Sequence, residues 1–135
     1  MPTTIAVHKN VDTIRRGYEA FNKGDMKTLT ELFHEKASWH VPGKGALAGD
    51  YRGREAVLAL FGKIGQECGG TFKAELRHAL VDEDGRVVGM EHLSAQRNGK
   101  RLSADACLVF EFKDGRVISG TEYIHDLYGS DQFWS

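Results

Sequence analysis

The stretch SADACLVFEFKDGRVISGTEYIHDL, residues 103–127, decides the fold of this chain. Two apolar arms flank Asp114-Gly115, which favours a tight β-hairpin because type I′ turns need positive φ at both central residues. The first arm, Ala106–Phe112, is almost continuously apolar, which indicates burial on both faces or a core on one face and an interface on the other. The second arm ends close to the predicted core with three ionisable residues: Glu122, His125 and Asp126. This charged end is a candidate functional site.

Two more strands are predicted ahead of this hairpin, because apolar and polar residues alternate there. In residues 71–80 the predicted apolar face carries one histidine, His78, among Phe72, Ala74, Leu76 and Leu80. Residues 86–96 form the next predicted strand, and Asn98-Gly99 after it is a second tight-hairpin signal. The C-terminal half is therefore predicted to be a meander of four consecutive strands.

The N-terminal half shows helical spacing instead. After an irregular lead-in over residues 1–9, a first helix is predicted to begin at Asn10 or Asp12 and to end at Asn22-Lys23-Gly24. Asp25 is expected to cap a short second helix that carries Met26, Leu29, Leu32 and Phe33 on one face. A short strand over residues 37–42 and a third helix over residues 53–68 follow.

Helices in one half and strands in the other predict an α+β fold, with three N-terminal helices packed on one face of a bent antiparallel sheet. We expect the C-terminal tail to dock on the body or on a partner subunit, because it carries Phe133 and Trp134. No linker or internal repeat is visible, so residues 1–135 are interpreted as a single domain.

The composition excludes several classes of function. The 135 residues are 41% hydrophobic and 27% charged, and the net charge of −1 favours neither nucleic acid nor an anionic membrane as a partner. No apolar run approaches the roughly 18 residues of a transmembrane helix, and no secretory signal is recognisable. The two cysteines, Cys68 and Cys107, are expected to be buried free thiols in a reducing compartment, which predicts a cytoplasmic location. No metal-site spacing or phosphate-binding glycine loop occurs, so no metal or cofactor is predicted.

Several motifs resemble the SnoaL-like families of the nuclear transport factor 2-like superfamily, to which the ketosteroid isomerases are related. They are YEAFNKGD at 18–25, Leu32-Phe33, WHVPG at 39–43, LAGDYRGREAV at 47–57, DGRV at 114–117 and EYIHD at 122–126. The resemblance implies a cone of three helices and a curved sheet around a pocket for a small hydrophobic molecule. It also implies a homodimer formed through the outer face of the sheet. The superfamily contains isomerases, dehydratases, cyclases and non-catalytic association domains, so the fold does not fix the function.

Site residues follow from this resemblance position by position. The SnoaL-like polyketide cyclases use an aspartate near the end of the last strand as acid and base, and Asp126 matches that position. Scytalone dehydratase uses a histidine on the strand after the third helix, and His78 matches it approximately. The three catalytic positions of ketosteroid isomerases fall instead on Gly17, Val41 and a point near Leu108, so that triad is absent.

A buried carboxylate with a raised pKa can remove a proton next to a carbonyl, provided that a donor stabilises the resulting oxyanion. The predicted catalytic residues are Asp126 as the base with His40, His78 or Tyr18 as the donor. The predicted ligand-binding residues are Trp39, Tyr51, Phe61, His92, Asp105, Leu108 and Glu122. Each has an ordinary alternative role in capping, core packing or surface solvation. The sequence therefore predicts an isomerase, cyclase or dehydratase, and leaves open a non-catalytic ligand-binding protein or a dimeric association domain.

Overall fold

The computed structural model describes the backbone of residues 4–135 and the side chains from residue 9 onward. Four helices and six strands occur in this part of the chain, and the predicted α+β class is confirmed. In chain order they are α1 (Thr4–Lys23), α2 (Met26–Leu32), β1 (Phe33–Val41), β2 (Gly49–Arg52), α3 (Arg54–Glu67), β3 (Lys73–Val81), β4 (Val87–Arg97), β5 (Lys100–Lys113), β6 (Arg116–Ile124) and α4 (Leu127–Phe133). The short strand β2 and the C-terminal helix α4 are additions to the predicted order.

The six strands form one sheet in the order β2-β1-β6-β5-β4-β3. Its neighbouring strands are antiparallel except for β1 and β6, which run parallel. The expectation of a purely antiparallel sheet is wrong at this pairing. The reason is that β1 and β6 are joined through α3 and the whole meander, so no tight turn forces them to run in opposite directions.

Both predicted tight turns are present. Asn98 and Gly99 have φ values of 51° and 76°, and Asp114 and Gly115 have values of 54° and 76°. Positive φ at both central residues is what a type I′ turn requires, which explains why Asn or Asp followed by Gly marks these two hairpins. The hairpins hold β4, β5 and β6 in register.

The chain departs from the prediction at the boundaries of two elements. Helix α1 already begins at Thr4, so the predicted lead-in is wrong over residues 4–9, and residues 1–3 lie outside the described residues. Strand β1 begins at Phe33 rather than at residue 37, because the backbone of Phe33 is extended at φ −99° and ψ 136°. Phe33 therefore ends α2 and starts the strand without an intervening loop.

Helices and sheet share one core on the inner face of the sheet. Phe21 of α1 packs edge-to-face on Phe61 of α3 with ring centroids 5.3 Å apart, and Phe61 packs in the same way on Trp39 of β1 at 5.0 Å. Such edge-to-face pairs add about 1 kcal/mol each beyond the area that they bury. These rings connect α1 and α3 to the sheet.

The C-terminal tail docks on the body of the protein, as expected for its aromatic residues. Phe133 and Trp134 are both buried. The Arg97 guanidinium lies 5.6 Å from the centre of the Trp134 ring and donates a 3.0 Å hydrogen bond to the Phe133 carbonyl oxygen. In the described residues no helix combines the length and the apolar character needed to cross a membrane.

Candidate active site

A cavity of about 80 Å³ lies between the N-terminal helices and the inner face of the sheet. This volume accommodates several water molecules or one compact apolar group, and it is below the roughly 300 Å³ at which drug-sized ligand pockets begin. Seven aromatic side chains form much of the wall: Tyr18, Phe21, Phe33, Trp39, Phe61, Phe72 and Phe110. A ligand in this cavity is therefore small and apolar, or it displaces some of these rings.

Three ionisable side chains reach the apolar cavity, namely Tyr18 from α1, Glu91 from β4 and Glu122 from β6. The Tyr18 hydroxyl donates a hydrogen bond to Glu91 Oε1 over 2.8 Å. Glu91 is only 4% exposed and Tyr18 only 8%, so water contributes little to screening this pair. Within the described residues, no Lys, Arg or His side chain lines the cavity to neutralise the two carboxyl groups.

Strand pairing brings the two glutamates to the same cavity. Glu91 lies opposite Ala106 of β5, and Glu122 lies opposite Leu108 on the other edge of β5. Ala106 and Leu108 are two residues apart and both buried, so they point to the same inner face of the sheet. The two carboxyl groups therefore flank β5 from either side.

A glycine makes the approach of Tyr18 to Glu91 possible. Gly89 lies two residues before Glu91 on the inner face of β4, and a Cβ at this position would be 2.8 Å from the Tyr18 hydroxyl oxygen. A separation below 3.0 Å is not compatible with an unshifted tyrosine. The absence of a side chain at position 89 thus leaves room for the hydroxyl that binds Glu91.

The environment shifts the pKa of all three groups. Burial raises the pKa of Glu91 to about 7, and the hydrogen bond from Tyr18 opposes part of this shift by favouring the carboxylate. Burial, together with the nearby charge of Glu91, raises the pKa of Glu122 to about 8. Burial and the same charge also hold the pKa of Tyr18 far above its ordinary value. Near neutral pH the cavity therefore contains a carboxyl that ionises readily, Glu91, and one that retains its proton, Glu122.

Five of the residues predicted from the sequence line this cavity, and they come from five different elements: Tyr18, Trp39, Phe61, Leu108 and Glu122. Tyr18 was predicted as a donor, and the other four were predicted as ligand contacts. Their placement in one cavity is compatible with those roles, which the geometry alone does not test.

Asp126 lies elsewhere. It caps the N-terminus of α4, where its carboxylate accepts a 3.0 Å hydrogen bond from the Gly129 amide, and its side chain is exposed. This exposed carboxylate is outside the cavity wall and acts as a helix cap, so its position does not support the predicted base. Helix α4 is not among the predicted elements, and a cap is the role that an aspartate takes at the start of a helix.

His40 and Tyr51 also lie outside the cavity wall. His40 pairs with Asp50 over 2.6 Å between β1 and β2, and 47% of its side chain is exposed. The Tyr51 hydroxyl donates to the Leu47 carbonyl oxygen at 2.8 Å, in a partly buried position. Both side chains therefore stabilise the β1–β2 edge of the sheet rather than the cavity.

A β-bulge moves His78 to the outer face of the sheet. Leu76 pairs with Glu91, but His78 pairs with Met90, so Arg77 is an extra residue in β3. Because one added residue reverses the alternation of sides, His78 is exposed beside Met90 instead of sharing the apolar face with Leu76. The prediction that His78 shares this apolar face is therefore wrong.

His92 and Asp105 face outward as well. Their side chains meet across β4 and β5, with His92 Nδ1 2.8 Å from Asp105 Oδ1, on the side of the sheet opposite the cavity. Neither can contact a ligand bound inside the cavity.

Sequence reasoning missed Glu91, which has the best-defined polar contact in the cavity. The signal was present in β4, where Val87, Gly89, Leu93 and Ala95 share one face of the strand and Glu91 is the one acidic residue on that face. The alternation in β3 predicted His78 in the same way, but the bulge reverses the alternation there. In β4, which pairs with β5 without interruption, the alternation points to Glu91, which does line the cavity.

Comparisons with known proteins agree with this architecture. The SnoaL-like domain model matches residues 14–120. The uncharacterized protein Rv0034 of Mycobacterium tuberculosis is 33% identical over 126 residues, which span 93% of this chain and 96% of that protein. The structure of Bal32a, from a soil-derived mobile gene cassette, superposes with a TM-score of 0.95 at 58% identity and covers 96% of this chain and 99% of Bal32a.

An NTF2-like protein of Burkholderia xenovorans shares the fold at 22% identity, with a TM-score of 0.80 and coverage of 95% of this chain and 97% of that one. The protein described here thus belongs to the SnoaL-like family, as the sequence motifs predicted. Among the described residues, no group of three His, Cys, Asp or Glu side chains could hold a metal ion.

Proposed function

We propose that this protein is a cofactor-independent enzyme that transfers a proton within a small apolar carbonyl compound, as in an isomerisation, cyclisation or dehydration. The observation that carries the proposal is the buried hydrogen bond between Tyr18 and Glu91 in an apolar cavity that also receives Glu122. Family membership supports small-molecule chemistry of this general kind, and the arrangement of the three groups supports the proton transfer.

Glu91 is the proposed base. The Tyr18 hydroxyl engages Oε1, which leaves Oε2 to take a proton from the carbon next to the substrate carbonyl. A carboxyl with a pKa of about 7 is substantially ionised at neutral pH, yet it is a much stronger base than an exposed glutamate. Tyr18 holds the carboxylate in place and stabilises its charge.

Glu122 is the proposed acid. With a pKa of about 8 it keeps its proton at neutral pH, so it can donate a hydrogen bond to the oxyanion that forms on the substrate. Proton transfer moves one negative charge from Glu91 to the substrate oxygen and leaves the total charge of the cavity unchanged. This matters in a cavity whose described lining contains no basic side chain.

Hydrogen–deuterium exchange at carbon tests the proposal without knowledge of the product. A panel of small cyclic ketones is incubated with the protein in D₂O, and loss of the α-proton signal is followed by NMR. We expect Glu91→Gln to slow the exchange by roughly a hundredfold or more, because that is the usual contribution of a positioned base. Glu122→Gln should slow it less, since an amide still donates a hydrogen bond.

The exposed Glu35 supplies a matched control, and Glu35→Gln should exchange like the wild type. Exchange that survives Glu91→Gln would refute the role of Glu91. Ketones that bind without exchange in any form of the protein would instead favour the non-catalytic ligand-binding alternative.

A second copy of the chain is the proposed partner of the outer sheet face. The central part of this face exposes Met90 and Tyr123, which are 40% and 59% exposed, on either side of the half-buried Cys107. Large apolar side chains grouped in this way favour an interface over solvent. The resemblance to dimeric relatives, noted from the sequence, supports a homodimer through this patch.

A further inference from the structure

The outer face of the sheet carries a hydrogen-bonded chain of three side chains near the β4–β5 hairpin. Ser103 Oγ lies 3.2 Å from His92 Nε2, and His92 Nδ1 lies 2.8 Å from Asp105 Oδ1. A hydroxyl, an imidazole and a carboxylate connected through these two ring nitrogens have the arrangement of an activated nucleophile, its base and the group that orients the base.

Strand register fixes this arrangement. His92 of β4 lies directly opposite Asp105 of β5, and Ser103 is two residues away from Asp105 on the same outer face. The imidazole therefore lies between two side chains of one neighbouring strand. Ser94 lies directly opposite Ser103 and shares the face, but it makes no hydrogen bond to the imidazole, so it is a matched comparison.

The surroundings of Asp105 favour its role as the carboxylate that orients His92. The hydrogen bond with His92 and the positive charge of Arg77, whose Nη1 lies 3.6 Å away, hold the pKa of Asp105 below its usual range. An ionised carboxylate can only accept hydrogen bonds, so His92 carries its proton on Nδ1. In the neutral imidazole Nε2 then has a lone pair, which faces the Ser103 hydroxyl.

The space beside Ser103 is open to small molecules, and it lies nearer the β4–β5 hairpin than the proposed dimer patch of Met90, Cys107 and Tyr123, with which it shares no lining residue. Ser103 is exposed and lines a shallow depression together with Arg101 and Gln96, whose side chains can donate hydrogen bonds to a carbonyl oxygen. None of the residues that line this depression lines the inner cavity, so the two spaces are separate.

We propose that Ser103 is a second reactive centre, a His92-activated nucleophile that accepts the acyl group of small activated esters. The Ser103 oxygen forms a bond to the acyl carbon while His92 Nε2 takes the hydroxyl proton. The ester carbon–oxygen bond breaks, and the leaving alkoxide or phenoxide receives that proton. Water then cleaves the acyl-serine by the reverse sequence and releases the carboxylic acid.

The experiment uses p-nitrophenyl acetate with the full-length protein. Release of p-nitrophenol is followed by absorbance, and the acetylated residue is located by peptide mass spectrometry after a rapid acid quench. We expect acetyl-Ser103 in the wild type, and a loss of roughly a hundredfold in rate in Ser103→Ala and His92→Gln, the usual contribution of a positioned base. Ser94→Ala should keep the wild-type rate.

Asp105 is a positioning residue, since it acts through His92. Asp105→Asn should lower the rate while Asp105→Glu restores part of it, and circular dichroism should show all variants folded. Equal rates in the wild type and Ser103→Ala, or acetyl groups found only on lysines, would overturn the proposal. Ketone exchange at the inner cavity does not involve Ser103, so the two activities fail independently.

Discussion

Replacing Glu91 by glutamine should change the pH dependence of stability in a direction that the cavity dictates. In the folded protein the pKa of Glu91 is about 7, against an ordinary value of 4.5. The folded state therefore holds this proton to higher pH than the unfolded chain does. The associated stability is fully present below about pH 4.5, and it is lost as the pH rises through about 7.

The size of the effect follows from the same two values. Their difference corresponds to about 3 kcal/mol, most of which the wild type should lose between about pH 5 and pH 8 on account of Glu91 alone. The amide oxygen introduced by Glu91→Gln can still accept the Tyr18 hydrogen bond, so the variant keeps the packing and loses the titration. Glu122 should also ionise more readily in the variant, because the charge of Glu91 that raises its pKa is gone.

Urea unfolding at about pH 5 and pH 8, followed by the fluorescence of Trp39 and Trp134, measures this difference. The stability of Glu91→Gln relative to the wild type should increase by up to about 3 kcal/mol from the lower to the higher pH. Glu35→Gln, at an exposed position, should have the same stability as the wild type at both pH values. If Glu91→Gln loses as much stability as the wild type over this range, then Glu91 is not a buried titrating group and the proposed base is refuted.

Three further predictions concern positions around and away from the cavity. Gly89→Ala should displace the Tyr18 hydroxyl and destabilise the protein by about 1–3 kcal/mol, measured by urea unfolding, and unchanged stability would contradict the close approach. Asp126→Ala should remove the cap of α4 at a cost of about 1 kcal/mol but leave ketone exchange at the wild-type rate, whereas a loss of exchange would restore Asp126 as the base. Tyr123→Glu should place a charge in the proposed dimer interface, and light scattering should then show monomers where the wild type is dimeric; a wild-type monomer would rule out the interface.

Local signals predicted much of the fold because they act over a few residues. Asn98-Gly99 and Asp114-Gly115 set their turns through backbone conformation alone, and helical spacing identified α1 and α3. The parallel pairing of β1 with β6 was missed because it depends on contacts between distant parts of the chain, and no local pattern encodes it.

The site was only partly predictable for a related reason. Tyr18, Trp39, Phe61, Leu108 and Glu122 all line the cavity, because the regular alternation and helical spacing around them place them on the inner side; their roles there stay predictions. The predicted side of the sheet was wrong for His78, because a bulge is not visible in the sequence pattern of apolar and polar residues. Asp126 was chosen by its position in a motif, and that position coincides with the start of a helix that the sequence analysis did not anticipate.

The pairing of β1 with β6 has a consequence for how the protein folds. Helices α1 and α2 and the hairpins of the meander are joined by short connections, so they can form early from nearby residues. Trp39 on β1 packs against Phe110, while its ring fills the space above Gly120 on β6, so this contact closes a loop of about eighty residues. We expect this long-range docking to be the slow step of folding. Until it occurs, the chain has secondary structure but no enclosed cavity, and the sheet edge of β6 remains open to pairing with other chains.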